Sequence, residues 1–408
     1  MKSDKNKAKK RFSYRIVNSQ GKVIKGYIDT FSSEEATNYL KSMDYEILSV
    51  REVSKFLTMN IGRKELKYSV LTFILTQLST YLKAGIPLVD AVKILEKQSS
   101  NREQRRIFSN VVYELSKGEK FSYALESQNG VFPKFLVNMV KTAEATGDLP
   151  STLDSLVTYY DSLDKTKKEA ITAMTYPIII SIFAIMVITF IMLYIVPSFE
   201  SLFKTNNANI PSLTTFVIGV SRFLSNNLLL IVLAILFILL VYMSVYRKSA
   251  SFRKAVQTFY MHLPIVGKVI IYKEVSMFTK TFANLLSHNV FITDSMDILK
   301  NLTNNEVYKV IINDSIKSLA CGEQISDSFR GKWAFPVVAY EMLVTGEKTG
   351  DLPLMMDHVS KYYEDLYSNF LKRINKFIEP IMILILSLVV GVVVLSIVIP
   401  MFSFYSTI

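Results

Sequence analysis

The chain has 408 residues, half of them apolar and 20% charged, with a mean hydropathy of +0.28. This balance is too apolar for an ordinary soluble protein and too charged for a pure transporter, so it predicts water-soluble domains joined to membrane spans. An excess of 47 Lys and Arg over 35 Asp and Glu gives a net charge of +12, typical of chains that bind nucleic acid or anionic lipid. The single cysteine, Cys321, excludes an internal disulfide, and we expect it to be a small buried residue.

Residues 12–53 are predicted to form a small N-terminal α+β module. The segments FSYRIV and KVIKGYIDT read as strands on either side of a turn at residues 19–22. Ser32 or Ser33 is a candidate N-cap for a short helix, and the segment EILSVREV follows as a third strand. The basic residues before the module have no apolar stretch behind them, which argues against a secretory signal. We expect either a solvated tail or an arm drawn to anionic lipid.

Residues 68–170 are predicted to form the first of two helical bundles. One of its helices can end on Gly85, because glycine suits the left-handed position that follows a helix. Gly118 repeats this signal, and Ser122 is a candidate N-cap for the next helix. Pro133 lies where a proline in the first helical turn is tolerated.

Three apolar segments, residues 171–196, 228–246 and 377–400, are long enough to be transmembrane helices. Lys and Arg precede the first and third segments and follow the second, and such residues stay on the cytoplasmic side. Residues 197–227 carry few charges and are predicted to be an external loop. We therefore expect a multi-pass membrane protein, with the N-terminus and both large polar regions in the cytoplasm and the short C-terminal tail outside. The basic excess beside the membrane favours lipid over nucleic acid as a partner.

The pattern of residues 68–170 returns in residues 272–375. EATGDLP at 144–150 is followed 203 residues later by EKTGDLP at 347–353. The match extends to further positions, with Gly118, Ser122, Pro133, Tyr159 and Tyr160 corresponding to Gly322, Ser326, Pro336, Tyr362 and Tyr363. The sequence therefore predicts a mainly α polytopic membrane protein with two duplicated cytoplasmic helical-bundle domains, three transmembrane helices and the small N-terminal α+β module. The middle span returns the chain to the cytoplasm for the second copy.

The repeated turns supply the candidate functional residues. Those at the two TGDLP turns are Glu144, Gly147, Asp148, Pro150, Glu347, Gly350, Asp351 and Pro353, and those at an earlier repeated turn are Gly85, Pro87 and Asn289. A helix stop at glycine, a helix start at proline and a capping aspartate explain each TGDLP turn. The functional interpretation is that Glu144 and Glu347 are exposed and contact a partner or a sister subunit. A hard cation held by Glu144 and Asp148 is a weaker alternative, and no metal site is predicted.

The sequence carries no motif for catalysis or for cofactor binding. It lacks the phosphate-loop pattern GxxxxGK[ST], GxGxxG and HExxH, and its three histidines are scattered. We therefore expect a protein that binds rather than reacts. A membrane transporter built from duplicated halves is the alternative. It would need more spans and a polar site at mid-membrane, and only Glu379 is ionisable near a span interior. A membrane-anchored enzyme is the third hypothesis.

These features together resemble the type II secretion system F family, the polytopic inner-membrane platform proteins of type IV pilus assembly and type II secretion. The resemblance covers nearly the whole chain. It is carried by AGIPL at 84–88, GEKTGDL at 346–352, IVPSFE at 195–200 and IPMF at 399–402. The first copy departs from the family at Ala143, where glycine is usual, and the second departs at Asn289 and Phe291.

The resemblance implies a mechanism that needs no active site in this chain. The cytoplasmic domains would dock on a hexameric assembly ATPase, and the spans would present pilin-like subunits at the base of a growing filament. Other inner-membrane assembly proteins and the lipid membrane would be further partners. The family is also taken to act as a dimer or higher oligomer.

Overall fold

The computed structural model describes residues 10–17, 21, 23–42, 46–53, 65–99, 101–205 and 211–405, most of which are helical. The chain divides into two compact units. The first consists of Met1–Lys165, Met277–Asn304 and Lys309–Ser360, and the second of Thr166–Ser276, Asn305–Tyr308 and Lys361–Ile408. Residues 1–9 of the predicted basic tail, and all of the predicted turn at 19–22 except Gly21, lie outside the described residues.

The N-terminal module is a three-stranded antiparallel sheet with one helix, which confirms the predicted order of strand, strand, helix and strand. Its elements are β1 (Lys10–Val17), β2 (Val23–Thr30), α1 (Ser33–Ser42) and β3 (Glu46–Glu52). The strands lie in the order β2-β1-β3. Ser32 is the N-cap of α1, because its Oγ accepts a hydrogen bond of 3.1 Å from the backbone N–H of Glu35.

The two repeats present the same order of elements. The first contains α2 (Tyr68–Lys83), α3 (Leu88–Gln98), α4 (Arg102–Ser116), α5 (Phe121–Glu126) and α6 (Lys134–Thr146). The second follows α9 (Ser212–Lys248) and α10 (Ala250–His262), and contains α11 (Val266–Ser287), α12 (Ile292–Leu302), α13 (Glu306–Ala320), a 3₁₀ turn (Ile325–Phe329) and α14 (Val337–Thr349). The 3₁₀ turn stands where the first repeat has α5.

The core of the N-terminal module includes a residue of the first repeat. Phe12, Tyr14 and Ile16 of β1 alternate with polar residues, as expected for a strand with one buried face. They pack with Ile28 of β2 and with apolar residues of α1, and Tyr113 of α4 belongs to the same buried cluster. The module therefore buries its apolar face with help from α4.

In the part of the chain that the structure describes, three helical segments are long and apolar enough to cross a membrane. The first is α7 (Leu149–Phe190), which continues through a π-helical turn (Ile191–Ile195) into α8 (Val196–Thr205). The other two are α9 and α15 (Leu352–Tyr405). These helices contain the three predicted spans. Both α7 and α15 begin at a TGDLP turn, so each runs without a break from a repeat into an apolar segment.

The prediction of a loop at residues 197–227 is wrong, because the described part of this segment is almost entirely helical. It belongs to α8 and to the first part of α9, and residues 206–210 lie outside the described residues. Val217 and Ile218 of α9 are buried in a cluster that includes Val393 of α15. The prediction used the small number of charges between two spans, and that number does not distinguish a loop from an amphipathic helix.

The expectation that Cys321 is buried is also wrong, since this residue is exposed. It directly follows α13 and precedes Gly322, whose φ of 79° lies in the left-handed region. A residue in such a turn lies at the end of a helix, where the chain runs over the surface.

Candidate functional site

Both TGDLP turns end one helix and begin the next, as the sequence predicts. Gly147 ends α6 with a φ of 79°, and Gly350 ends α14 with a φ of 78°. A residue with a Cβ pays about 1–2 kcal/mol in this conformation, which explains glycine at both positions. The next helix begins one residue before each proline, so Pro150 and Pro353 lie in the first turn, where the missing N–H costs no helical bond.

Asp148 and Asp351 cap the helices that follow them. Asp148 Oδ1 accepts a hydrogen bond from the backbone N–H of Ser151 at 3.4 Å. Asp351 Oδ1 accepts one from the backbone N–H of Leu354 at 3.3 Å. Both aspartates are exposed and lie at the positive end of a helix, where a carboxylate is stabilised.

The functional interpretation expected Glu144 and Glu347 to be exposed, and this is wrong. Both side chains are half-buried and hydrogen-bonded. Glu144 accepts hydrogen bonds from the backbone N–H of Ser122 at 3.2 Å and from the N–H of the preceding residue. Glu347 accepts them from the backbone N–H of Ser326 at 3.0 Å and from the preceding N–H at 2.6 Å. Each carboxylate thus caps the start of a neighbouring element in its own repeat.

The helix starts that the sequence assigned to serine and proline are shifted by a residue or more. Ser122 and Ser326 lie inside the first turn of α5 and of the 3₁₀ turn, so neither is an N-cap. The glutamates described above replace them as the cap. Pro133 and Pro336 are N-cap residues of α6 and α14 and do not belong to the first turn. A sequence pattern places a helix end less sharply than the backbone hydrogen bonds do.

The two repeats differ in how closely the helices approach at the TGDLP turn. A Cβ at Gly346 would lie 3.0 Å from the Cα of Leu352 and 3.1 Å from the Cβ of Met355. The corresponding residue of the first repeat, Ala143, fits its position and is 1% exposed. Glycine in the second repeat therefore permits close contact of α14 with α15, and the first repeat packs with room for a methyl group.

The earlier repeated turn has the same geometry in both copies. Gly85 has a φ of 81° and Asn289 a φ of 58°, so the second copy uses a non-glycine residue in the left-handed region. In each copy the N–H that follows bonds back at 3.0 Å, to the carbonyl of Tyr81 or of Leu285. Pro87 is the N-cap residue of α3.

A groove of about 550 Å³ lies between α6 of the first repeat and α12 of the second. Lys134 and Lys141 line the α6 side, and Asp294 and Asp297 line the α12 side. Of the candidate residues in the described part of the chain, Asn289 alone lines this groove. The repeated turns therefore do not form this groove as a group.

A buried hydrogen bond joins the two repeats within the first unit. The hydroxyl of Tyr159 on α7 lies 2.8 Å from Oγ1 of Thr281 on α11, and both residues are almost fully buried. Burial raises the pKa of Tyr159 well above its ordinary value, so the hydroxyl stays protonated. Its counterpart in the second repeat, Tyr362, is 49% exposed. The two equivalent tyrosines therefore differ in burial between the repeats.

A polar network that sequence reasoning missed connects the N-terminal module to α4. Arg106 is 3% exposed and pairs with Asp29 of β2 and with Glu103. The side chain of Asn110 accepts the backbone N–H of Asp29 at 3.0 Å. The four residues are ordinary charged and polar side chains in sequence, and only the fold brings β2 against α4.

Glu35 of α1 extends this connection. Tyr113 of α4 and Lys117, the C-cap residue that follows α4, both donate hydrogen bonds to its carboxylate. Burial by itself raises the pKa of Glu35, but the bonds from Lys117 and Tyr113 and from the N–H of Phe31 outweigh it, so the pKa lies below its ordinary value. The carboxylate is therefore charged at neutral pH and holds α1 to α4.

No cluster of three or more His, Cys, Asp or Glu side chains suited to a metal ion occurs in the described ranges. The Glu144 carboxylate already accepts backbone hydrogen bonds, and Asp148 caps α7. The geometry of this turn is thus that of helix capping.

Comparison with known families decides what the chain is related to. The sequence model of the family described as type II secretion system (T2SS), protein F, matches residues 74–197 and 278–400. The chain belongs to this family. Each matched segment begins within the first helix of a repeat and covers the rest of that repeat together with the apolar segment that follows it. The duplication in this F-family protein is therefore one of repeat plus span.

Curated relatives of this F-family chain match it over nearly their full length. The type IV pilus assembly protein PilC of Thermus thermophilus is 28% identical over 97% of this chain and 98% of the relative. PilC of Pseudomonas aeruginosa is 26% identical over 90% and 97% of the two chains. The type II secretion system protein F of Xanthomonas campestris pv. campestris is 26% identical over 96% and 98%.

Proposed function

We propose that this protein is a non-enzymatic inner-membrane platform that couples a cytoplasmic assembly ATPase to the insertion of pilin-like subunits, in type IV pilus biogenesis or in type II secretion. The observation that carries the proposal is the family match over both repeats and their apolar helices. The names of the relatives, which refer to pilus assembly and type II secretion, support it.

The continuity of two helices supports a mechanical role. A helix of 42 residues such as α7 is about 63 Å long, and its first turn is the TGDLP turn of the first repeat. The 54-residue α15 begins in the same way in the second repeat. A displacement of either bundle by a bound ATPase would therefore pass directly into an apolar span, without a flexible loop between them.

The proposed topology places the N-terminus and both repeats in the cytoplasm and the segment between α8 and α9 outside. The distribution of Lys and Arg beside the spans supports it. A reporter fused at Asn206, which lies outside the described residues, should give an external signal. A reporter fused at Lys120 of the first repeat should give a cytoplasmic one. The opposite pair of signals would overturn the topology.

The proposed partners are the ATPase, pilin-like subunits, other inner-membrane assembly proteins, lipid and a further copy of this chain. Exposed apolar side chains on the second repeat support an interaction with protein there. Val337 is 73% exposed, Val338 52% and Tyr362 49%, and the first-repeat counterparts of the last two, Phe135 and Tyr159, are almost fully buried. Val338 and Tyr362 are therefore exposed in the second repeat at positions that are buried in the first.

Deletion of the gene tests the proposed function. Surface filaments, or the secreted proteins of a type II system, should disappear and should return with the wild-type gene. The full chain, purified in detergent and immobilised, should also bind the assembly ATPase of the same cell. If filaments and secretion persist in the deletion strain, the proposal fails. Which of the two outputs is lost assigns the chain to a pilus or to a secretion machine.

A further inference from the structure

The N-terminal module and α4 enclose a cavity of about 330 Å³ that the proposed function does not use. Its floor is the polar face of the sheet, opposite the buried face that carries Phe12 and Ile16. Six of its lining residues are cationic, namely Arg15, Lys25, Arg51, Arg102, Arg105 and Arg106. None of the described residues that line it is acidic. The cavity is therefore strongly positive.

The cationic residues are arranged across the strands. Arg15 of β1 lies directly opposite Lys25 of β2 and opposite Ser49 of β3. In the next row Ser13 lies opposite Tyr27 and Arg51. Like charges directly opposite each other destabilise a sheet, so the Arg15–Lys25 pair costs stability unless an anion lies over it.

Most of these cations have no counter-charge among the residues that the structure describes. Arg15, Lys25, Arg51 and Arg102 form no ion pair with any residue that the structure describes. Arg106 differs, because two carboxylates neutralise it, and it helps to hold α4 against the sheet. At least four positive groups thus face the cavity free to bind an anion.

Arg105 adds a buried N–H group that donates no hydrogen bond to any described residue. Its Nη2 donates to the backbone carbonyl of Ser99 at 2.8 Å, which fixes the guanidinium. Its Nε is buried and has no hydrogen-bond partner among the described residues. A buried N–H without an acceptor is costly, and an anion in the cavity would supply the acceptor.

We propose that this cavity binds a phosphate-bearing small molecule of nucleotide size. Guanidinium groups match the geometry of phosphate oxygens, and Ser13 and Ser49 add neutral donors. Tyr27, 36% exposed, offers a ring on which a base can stack. The volume falls at the lower end of the range of small-molecule sites, and a recess bounded by a sheet and a helix suits a compact ligand better than a flat membrane surface.

A ligand held in this way would contact the sheet and α4 together. It would stabilise the attachment of the N-terminal module to the first repeat, to which the Asp29–Arg106 pair already contributes. The site does not depend on the proposed function, because its geometry involves neither the repeated turns nor the apolar helices.

Calorimetric titration of the full chain in uncharged detergent tests the proposal, with ATP, AMP and pyrophosphate as probes and no divalent cation present. At least one probe should bind saturably, and added salt should weaken it. Arg15→Ala and Arg51→Ala should each weaken binding about tenfold, the usual effect of one charge-assisted hydrogen bond. Lys41→Ala, an exposed lysine of α1 outside the cavity, is the matched control and should change nothing.

Thermal unfolding gives a second readout that does not require the variants to bind. Without ligand, Arg15→Ala should raise the unfolding temperature, because it removes one of two like charges that face each other. The bound probe should raise the unfolding temperature of the wild type more than that of the variant.

The proposal is overturned if none of the three probes binds saturably below about 1 mM, or if binding survives both arginine substitutions unchanged. Vesicles of phosphatidylglycerol and of phosphatidylcholine distinguish a lipid source of the phosphate. Arg15-dependent binding to phosphatidylglycerol vesicles, with no binding of the soluble probes, would identify a membrane headgroup site and overturn the small-molecule proposal. Arg15-dependent binding of poly-glutamate alone would do the same in favour of an acidic peptide.

Discussion

The carboxylate of Glu144 on α6 accepts a 3.2 Å hydrogen bond from the backbone N–H of Ser122, which lies on α5. Glu347 and Ser326 form the same contact at 3.0 Å, although the second repeat has a 3₁₀ turn in place of α5. The glutamate of each ExTGDLP motif thus caps a different element from the one that contains it. This relationship accounts for the recurrence of glutamate beside the glycine and aspartate of the turn.

The first prediction concerns this cap. Glu144→Ala and Glu347→Ala should each lower the free energy of unfolding by about 1–2 kcal/mol, because backbone N–H groups at a helix start lose their acceptor. Thermal or denaturant unfolding of the full chain measures the effect. Glu126→Ala, on the exposed side of α5, is the matched control and should stay within about 0.5 kcal/mol of wild type. If stability is unchanged while filament assembly is lost, the glutamates act as partner contacts instead.

The second prediction concerns the left-handed glycines. Gly147→Ala and Gly350→Ala should each cost about 1–2 kcal/mol, because a Cβ is strained at a φ near +79°. Asparagine at either position should cost less, as Asn289 shows by its own φ of 58°. Gly219→Ala within α9 is the control, since its φ is not positive and its Cβ would meet open space. Equal losses from alanine and asparagine would contradict the explanation.

The third prediction concerns Glu96 of α3. Burial raises the pKa of Glu96 to about 7, although a hydrogen bond from Ser109 and the charges of Arg105, Lys97 and Lys93 lower it in part. Between its usual value of 4.5 and about 7, the folded chain keeps a proton that the unfolded chain releases. Stability should therefore fall as the pH rises through this window, and the whole cost should be present above pH 7.

Glu96→Gln should remove this cost, because the amide carries no charge at any pH. At pH 8 the variant should be more stable than wild type by about 1–3 kcal/mol, and the difference should vanish near pH 4.5. Unfolding curves at the two pH values measure it. Glu119→Gln, an exposed residue of the same repeat, should show no such dependence. A constant difference at both pH values would contradict the assignment to Glu96.

The fourth prediction concerns the attachment of the N-terminal module. Asp29→Asn should weaken it by about 1–3 kcal/mol, because Arg106 is buried and would keep only Glu103 as a counter-charge. Hydrogen exchange should become faster in β2 and in α1, and stay unchanged in α12. Glu52→Gln removes an exposed ion pair with Lys10 in the same module and is the control. Unchanged exchange in Asp29→Asn would show that apolar contacts suffice.

Local signals in the sequence predicted well where helices end. Glycine at 85, 118, 147, 322 and 350 has a positive φ in every case, because this conformation excludes most other residues. The exact caps were less predictable, as at Ser122, because a serine can cap a helix or lie within its first turn. Glu144 could not be identified as a cap, since a contact across 22 residues leaves no periodic pattern.

The sequence by itself determined the duplication, the three apolar segments and the family, because these depend on composition, spacing and residue identity along the chain. Only the tertiary structure decided which polar residues meet. It brought Asp29 to Arg106, buried Tyr159 against Thr281 while leaving Tyr362 exposed, and enclosed six cations between a sheet and a helix. The physical reason is that hydrogen bonds and charge pairs act over a few ångströms in space. Two residues within that distance of each other can be far apart in the sequence.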